Sequence, residues 1–131
     1  MKRLLLDTHI ILWWLSGDRR LALSGRRLID SSHCTVSVVS MAEIAIKVAA
    51  GKVRMPALPA LDEKLRDAGV AVVSLTPAHV VAAARLMGHH PDVFDCLLAG
   101  TALAEQMTLL TRDAALLENA APLMGELLIE A

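Results

Sequence analysis

Aromatic residues are nearly missing from this chain. Trp13, Trp14 and Phe94 are the only three in 131 residues, and there is no tyrosine. Such a composition disfavours a surface that binds nucleic acid by stacking successive bases on rings. A charge surplus of either sign is also lacking. Thirteen Lys and Arg face fourteen Asp and Glu, for a net charge of −1. The field of the whole molecule will not gather nucleic acid, so any such contact must come from a local basic patch. Cysteine is scarce: Cys34 and Cys96 have no CxxC spacing, and two free thiols in a reducing cytoplasm are expected. No GxGxxG follows a strand-like run, which argues against dinucleotides, and no GxxxxGK[ST] is present, which argues against a nucleotide triphosphatase. No apolar run is long enough to span a membrane. Lys2 and Arg3 ahead of leucines imitate a secretory leader. Asp7 and His9 interrupt its apolar core, and Arg19 and Arg20 precede the only small-residue site, so a leader is not expected.

Apolar side chains are what the sequence has in abundance. They make up 55% of it, with a mean hydropathy of +0.51, and that leaves apolar surface for a partner beyond the needs of one core. The length suits a single domain spanning residues 1–131. Short apolar runs alternate with longer helical patterns. Leu4–Leu6, Thr35–Val39, Val70–Leu75, Thr108–Leu110 and a tail segment near Leu127–Ile129 read as strands. Helices are expected over Ile10–Leu15, Leu21–Ser31, Ser40 to about Ala50, Leu61–Ala68, Thr76-capped Pro77 to about Met87, Asp92 or Val93 to about Gln106, and Asp113–Leu117. Met55–Pro59 and Gly88–Pro91 read as loops. Alternation of this kind predicts an α/β fold with a parallel sheet covered by helices on both faces. Ligands of such sheets bind beyond the carboxyl ends of the strands.

Four acids stand where chain segments leave the core. Taken singly, each has a structural explanation. Asp7 can cap the helix that follows it. Ser40-Met-Ala-Glu43 has the spacing of a capping box. Asp95 lies in a first helical turn, where negative charge suits the helix dipole. Asp113 precedes Ala-Ala-Leu-Leu as another N-cap. Taken together, Asp7, Glu43 and Asp113 each follow a strand and open a helix, and the Asp95 helix feeds the strand before Asp113. A doubly wound sheet would collect them on one edge. Two unit charges about 4 Å apart cost on the order of 4 kcal/mol at an effective dielectric near 20. The acids must take up protons or share a cation. Oxygen ligands with no Cys or His at ligand spacing favour Mg2+ or Mn2+ over zinc. Such an ion suits the hydrolysis of phosphate esters.

The segments LLLDTHIILWWL, SVVSMAEIAIKVAAGKV and HHPDVFDCLLAGTALAEQMTLLTRD, in that order, resemble the PIN-domain family, and within it the VapC-type toxins of bacterial toxin–antitoxin pairs. The resemblance covers Leu4 to about Leu117. It implies a Rossmann-like domain with a five-stranded parallel sheet and a ribonuclease that uses Mg2+ or Mn2+ held by Asp7, Glu43, Asp95 and Asp113. Thr8, Ser40 and Thr111 fall where the family often places small hydroxyl residues near the site. An antitoxin that blocks the site, a homodimer and RNA as substrate are implied in the same way. The chain departs from the family's common Asp-Pro-Phe-Asp-Arg at Val93 and Cys96, and from a frequent tryptophan at Met41. These departures motivate an alternative from another class, a catalytically inactive PIN-fold module that binds RNA or protein.

Several nearby residues have simpler explanations. Asp92 reads as a helix cap. Lys47, four residues after Glu43, is equally an ordinary helix pair or a charge facing the acids or an RNA phosphate. Arg112 reads as a solvated charge, with a phosphate contact the minor alternative. His9, His89 and His90 lack zinc spacing, and the last two read as a polar loop. The Cys96 thiol, beside a carboxylate, should be too basic for a nucleophile. Trp13 and Trp14 are adjacent on a helix, so one is expected to stay exposed on a binding surface.

Overall fold

Three consecutive leucines set the centre of the molecule. Leu4, Leu5 and Leu6 have no solvent exposure and lie in strand β1 (Arg3–Leu6). The computed structural model describes residues 2–54 and 58–131. Strand β4 (Thr108–Thr111), buried along its whole length, lies on one side of β1 in parallel, and β2 (His33–Ser37) lies on the other. β3 (Ala71–Val73) and β5 (Leu128–Glu130) form the edges, giving a five-stranded all-parallel sheet in the order β3-β2-β1-β4-β5. Alternate residues point to opposite faces of a strand. Accordingly, Leu4, Leu6 and Leu110 join one apolar cluster, while Leu5 and Leu109 join another.

Helices cover both faces, as the alternating pattern predicts. The first cluster takes in Ile10 and Ile11 of α1 (Thr8–Ser16), Ile29 of α2 (Leu23–Asp30), Ile44 of α3 (Val38–Ala49), and Leu61 and Leu65 of α4 (Leu58–Asp67). The second takes in Leu98, Ala99 and Ala102 of α6 (Val93–Glu105) and Leu116, Ala120 and Met124 of α7 (Ala114–Met124). Helix α5 (Pro77–Ala84) packs so closely on α6 that a Cβ at Gly100 would lie 2.4 Å from the Ala83 nitrogen and from the His79 carbonyl oxygen. No helix among the described residues is long and apolar enough to cross a membrane.

Several boundaries differ from the sequence-based expectation. Strand β2 begins and ends two residues early, because its pairing with β1 and β3 runs from His33 to Ser37. Helix α3 therefore starts at Val38. Its cap is Ser37, whose hydroxyl accepts from the Val39 amide at 3.0 Å, and the Ser40–Glu43 capping box does not form. Tertiary pairing overrides the β preference of Val38 and Val39. Helix α7 runs to Met124 with Pro122 inside it, well past Leu117. Leu116, Ala120 and Met124 make a buried i, i+4, i+8 stripe, which outweighs the one hydrogen bond that proline removes. Helix α5 stops at Ala84, short of Met87. Of the expected Met55–Pro59 loop, residues 55–57 lie outside the described residues, while Leu58 and Pro59 already belong to α4. Trp13 and Trp14 are both half-buried and pack on the first cluster, so neither stands out as an exposed ring.

Candidate acid site at the carboxyl edge of the sheet

Because all five strands are parallel, their carboxyl ends share one edge. Asp7 leaves β1 there. Its amide donates to the Leu110 carbonyl at 3.1 Å, which carries the β1–β4 pairing one residue further. The Asp7 side chain is buried and caps α1, with Oδ1 accepting from the Thr8 amide at 2.7 Å. Oδ2 accepts from the Thr111 hydroxyl at 2.6 Å. That hydroxyl oxygen in turn accepts from the Asp113 amide at 3.1 Å. A single threonine thus ties the ends of β1 and β4 together and links the Asp7 carboxylate to the backbone amide of Asp113. Asp113 is half-buried and caps α7, its Oδ1 accepting from the Leu116 amide at 2.8 Å.

Thr8 makes the link to α3. Its hydroxyl donates to Glu43 Oε1 at 2.7 Å and lies 3.0 Å from Ser40 Oγ. Ser40, Thr8 and Glu43 are all buried. With the cap at Ser37, Glu43 falls in the second turn of α3, where its carboxylate is free to meet Thr8. Lys47, one turn further on, lies with Nζ 4.0 Å from Glu43 Oε2.

Asp95 sits in the first turn of α6, which Asp92 caps by accepting from the Asp95 amide at 3.1 Å. This is the role expected of Asp92. The Asp95 carboxylate is itself held by a residue that sequence reasoning left outside the site. His90 is buried, and its Nε2 lies 2.8 Å from Asp95 Oδ2. The other ring nitrogen, Nδ1, lies 2.9 Å from Asn119 Nδ2 on α7. With the Asn119 amide donating to Nδ1, the imidazole proton sits on Nε2 and donates to Asp95. Cys96 lies below this chain of contacts, buried, with Sγ 3.5 Å from the His90 carbonyl oxygen. The residue that replaces the family's arginine thus helps to hold the His90 turn. Burial first, then the charges of Asp95 and Asp92, raise the Cys96 thiol, in line with the expected lack of nucleophilic character.

The acids influence one another. Burial raises the Asp7 carboxyl, the hydrogen bonds from Thr111 and Thr8 oppose that rise, and the Glu43 charge adds to it. Asp95 is pushed up to about 7, first by burial; the His90 hydrogen bond opposes this, while the charges of Asp7, Asp92 and Asp113 add to it. The electrostatic linkage therefore runs from Glu43 to Asp7 and from Asp7 and Asp113 to Asp95. Among the described residues, no three Asp, Glu, His or Cys side chains converge into a ready-made metal cage.

The remaining sequence candidates fall at the margin. Arg112 is exposed, and its guanidinium donates to the carbonyls of Arg20 at 3.3 Å and Ala131 at 3.4 Å. His9 and His89 are exposed, and the His9 ring lies tilted 5.9 Å from Trp13. Cys34 and Cys96 are free thiols. No pattern in the sequence marks His90 or Asn119. Pro91 separates His90 from the Asp95 helix, and Asn119 sits 29 residues further along the chain.

A parallel five-stranded sheet with helices on both faces and acids at the carboxyl ends of its strands defines the class. Residues 4–122 match the PIN domain family, and the chain belongs to it. A curated relative, Ribonuclease VapC22 of Mycobacterium tuberculosis, is 28% identical over 117 residues, which cover 86% of this chain and 88% of that protein. Among solved structures, VapBC2 from Rickettsia felis bound to a promoter DNA fragment superimposes with a TM-score of 0.67 at 16% identity, covering 98% of both chains. FitAcB from Neisseria gonorrhoeae gives 0.62 at 19% identity, covering 89% of this chain and 92% of the other. At these identities, the structural likenesses establish the fold.

Proposed function

We propose that this chain is a Mg2+- or Mn2+-dependent endoribonuclease that acts in the cytoplasm as the toxin of a toxin–antitoxin pair and is inhibited by its cognate antitoxin. The observation that carries the reading is the junction at which Thr111 joins Asp7 to Asp113 while Asp95, from a separate helix, feels the charge of both. Support comes from the relative named as a ribonuclease and from structural neighbours solved as toxin–antitoxin complexes.

The donor set fits a hard divalent ion. Asp7, Asp95 and Asp113 offer only oxygen, with Glu43 held alongside through Thr8. Magnesium keeps several waters and needs only one or two direct carboxylates, so a closed cage is not required. Burial first, with neighbouring charges adding to it, raises Asp7 and Asp95, and a dication held beside them would favour their ionised forms. When bound, such an ion lowers the pKa of a coordinated water and stabilises charge on the phosphate.

The protein's own groups do the rest. His90 fixes one Asp95 oxygen, Oδ2, and so sets the orientation in which the carboxylate would meet the ion. Thr8, Ser40 and Thr111 hold Asp7 and Glu43 in position. Lys47 and the unspent donors of Arg112 are the substrate contacts nearest the acids. A homodimer follows from the same reading, with Val80 and Val81 of α5 among its exposed apolar side chains.

The test is RNA cleavage by the purified chain with and without chelator, beside D7N. Cleavage should stop on chelation and fall by about a thousandfold in D7N. Chelator-resistant cleavage or a fully active D7N overturns the proposal. No cleavage, together with no thermal stabilisation by Mg2+ or Mn2+, supports the inactive binding module instead.

A further inference from the structure

Although the chain carries a net charge of −1, five of its thirteen basic side chains line one cavity of about 420 Å³. They are Arg20, Lys47, Lys52, Arg54 and Lys64, grouped around Trp13 on α1. Two of them have local partners: Arg20 pairs with Asp18 at 2.7 Å, and Lys47 lies 4.0 Å from Glu43. Lys52, Arg54 and Lys64 have no ion-pair partner among the described residues. Three uncompensated cations within one recess make a local positive field that the neutral whole does not have.

This recess adjoins the acids. Its walls come from α1, whose cap is Asp7, and from Lys47, one turn after Glu43. A chain lying over the acids and following α1 therefore passes from negative to positive ground. Trp13 is not open for base stacking, because the Arg20 guanidinium lies 5.1 Å over its ring and His9 lies against it. Beside its cations the cavity is walled by Leu12, Leu15 and Val53, so it offers charge on a partly apolar wall without an open aromatic face to read bases. A recess of about 420 Å³ admits a sugar-phosphate segment, and a flexible single strand can turn its phosphates into it, whereas a duplex holds its phosphates on a rigid convex surface.

Resting on the nuclease reading, we propose that this cavity is the track that holds the phosphates of single-stranded RNA flanking the cleaved bond, without regard to base sequence. The cations on the track are Lys52, Arg54 and Lys64, with Lys47 at the junction with the acids.

The experiment measures binding without cleavage. Fluorescence anisotropy in chelator compares wild type with K52A/R54A/K64A and with K52R/K64R, using labelled twelve-nucleotide oligouridylate and oligoadenylate, a duplex of the same length, and a twelve-residue polyglutamate. Wild type should bind the two single strands alike and the duplex more weakly. The triple alanine variant should bind single strands about ten- to a hundredfold more weakly, with its salt slope reduced by about 2. The arginine variant should bind as wild type does, and circular dichroism checks that all three are folded. Wild-type binding by the triple variant, duplex preferred over single strand, or loss confined to polyglutamate overturns the proposal. Binding through these cations without any RNA cleavage sinks the nuclease reading and leaves the track standing.

Discussion

Helix α6 carries, at each end, a contact between a buried histidine and a carboxylate. At its carboxyl end, His79 Nε2 lies 2.7 Å from Glu105 Oε1; near its amino end, His90 Nε2 lies 2.8 Å from Asp95 Oδ2. The contacts are alike, but their surroundings differ. His79 closes a capping box with Thr76, its Nδ1 accepting from the Thr76 amide at 3.1 Å, so this pair staples the start of α5 to the end of α6. His90 is held by Asn119, and the carboxylate it grips stands among Asp7, Asp92 and Asp113. One pair serves packing, while the other holds an acid that its neighbours would rather neutralise. Deeper burial of the carboxylate first, and the charges around it second, separate the site from the staple.

The largest expected effect tests that separation directly. D95N should lose RNA cleavage by about three orders of magnitude or more, while E105Q cleaves as wild type does. Equal losses in both would erase the distinction. A smaller effect should follow from the histidines. H90A, scored per folded molecule, should lower cleavage or metal affinity by about 10- to 100-fold, as loss of a residue orienting a metal ligand does. H79A should leave cleavage intact and lower stability by about 1–3 kcal/mol, since Glu105 and the Thr76 amide lose their buried partner. Denaturant melts beside cleavage rates distinguish the two outcomes.

The smallest effect is on pH dependence. Asp95 and Asp7 hold their protons more tightly folded than unfolded. Between about pH 4 and pH 7 the native state therefore binds more protons, and stability falls as pH rises through that window. The metal-free protein should melt higher at pH 5.5 than at pH 7.5, and D95N should shrink the difference. A divalent ion should raise the melting temperature more at pH 7.5, where the carboxyls are ionised. The same pH dependence in D95N and wild type would remove Asp95 from this account.

Much of the fold was legible in the sequence. Leu4–Leu6 and Thr108–Leu110 read as buried strands because both faces of a central parallel strand are covered. Thr76-Pro77 fixed a helix start through its own cap chemistry. The misreadings lie where long-range pairing outweighs local preference. Ser40 looked like a cap, yet the register of β2 hands that role to Ser37, and Ser40 turns inward to Thr8. The pattern after Asp113 reads as a helix only to Leu117, yet a buried stripe carries α7 through Pro122 to Met124. His90 was set aside as a loop residue because nothing local distinguishes a solvated histidine from one buried on an acid.

The sequence by itself determined the alternation of strands and helices, the acids at segment ends and the near-neutral charge, since each depends on residue type and short-range spacing. Only the tertiary structure decided that Thr111 serves both Asp7 and Asp113, that Asn119 reaches His90, and that five scattered cations share one recess. Apart from the local turn between Thr111 and Asp113, those contacts join residues far apart in the chain. Their energies come from burial and from charges brought close, which exist only once the sheet has formed.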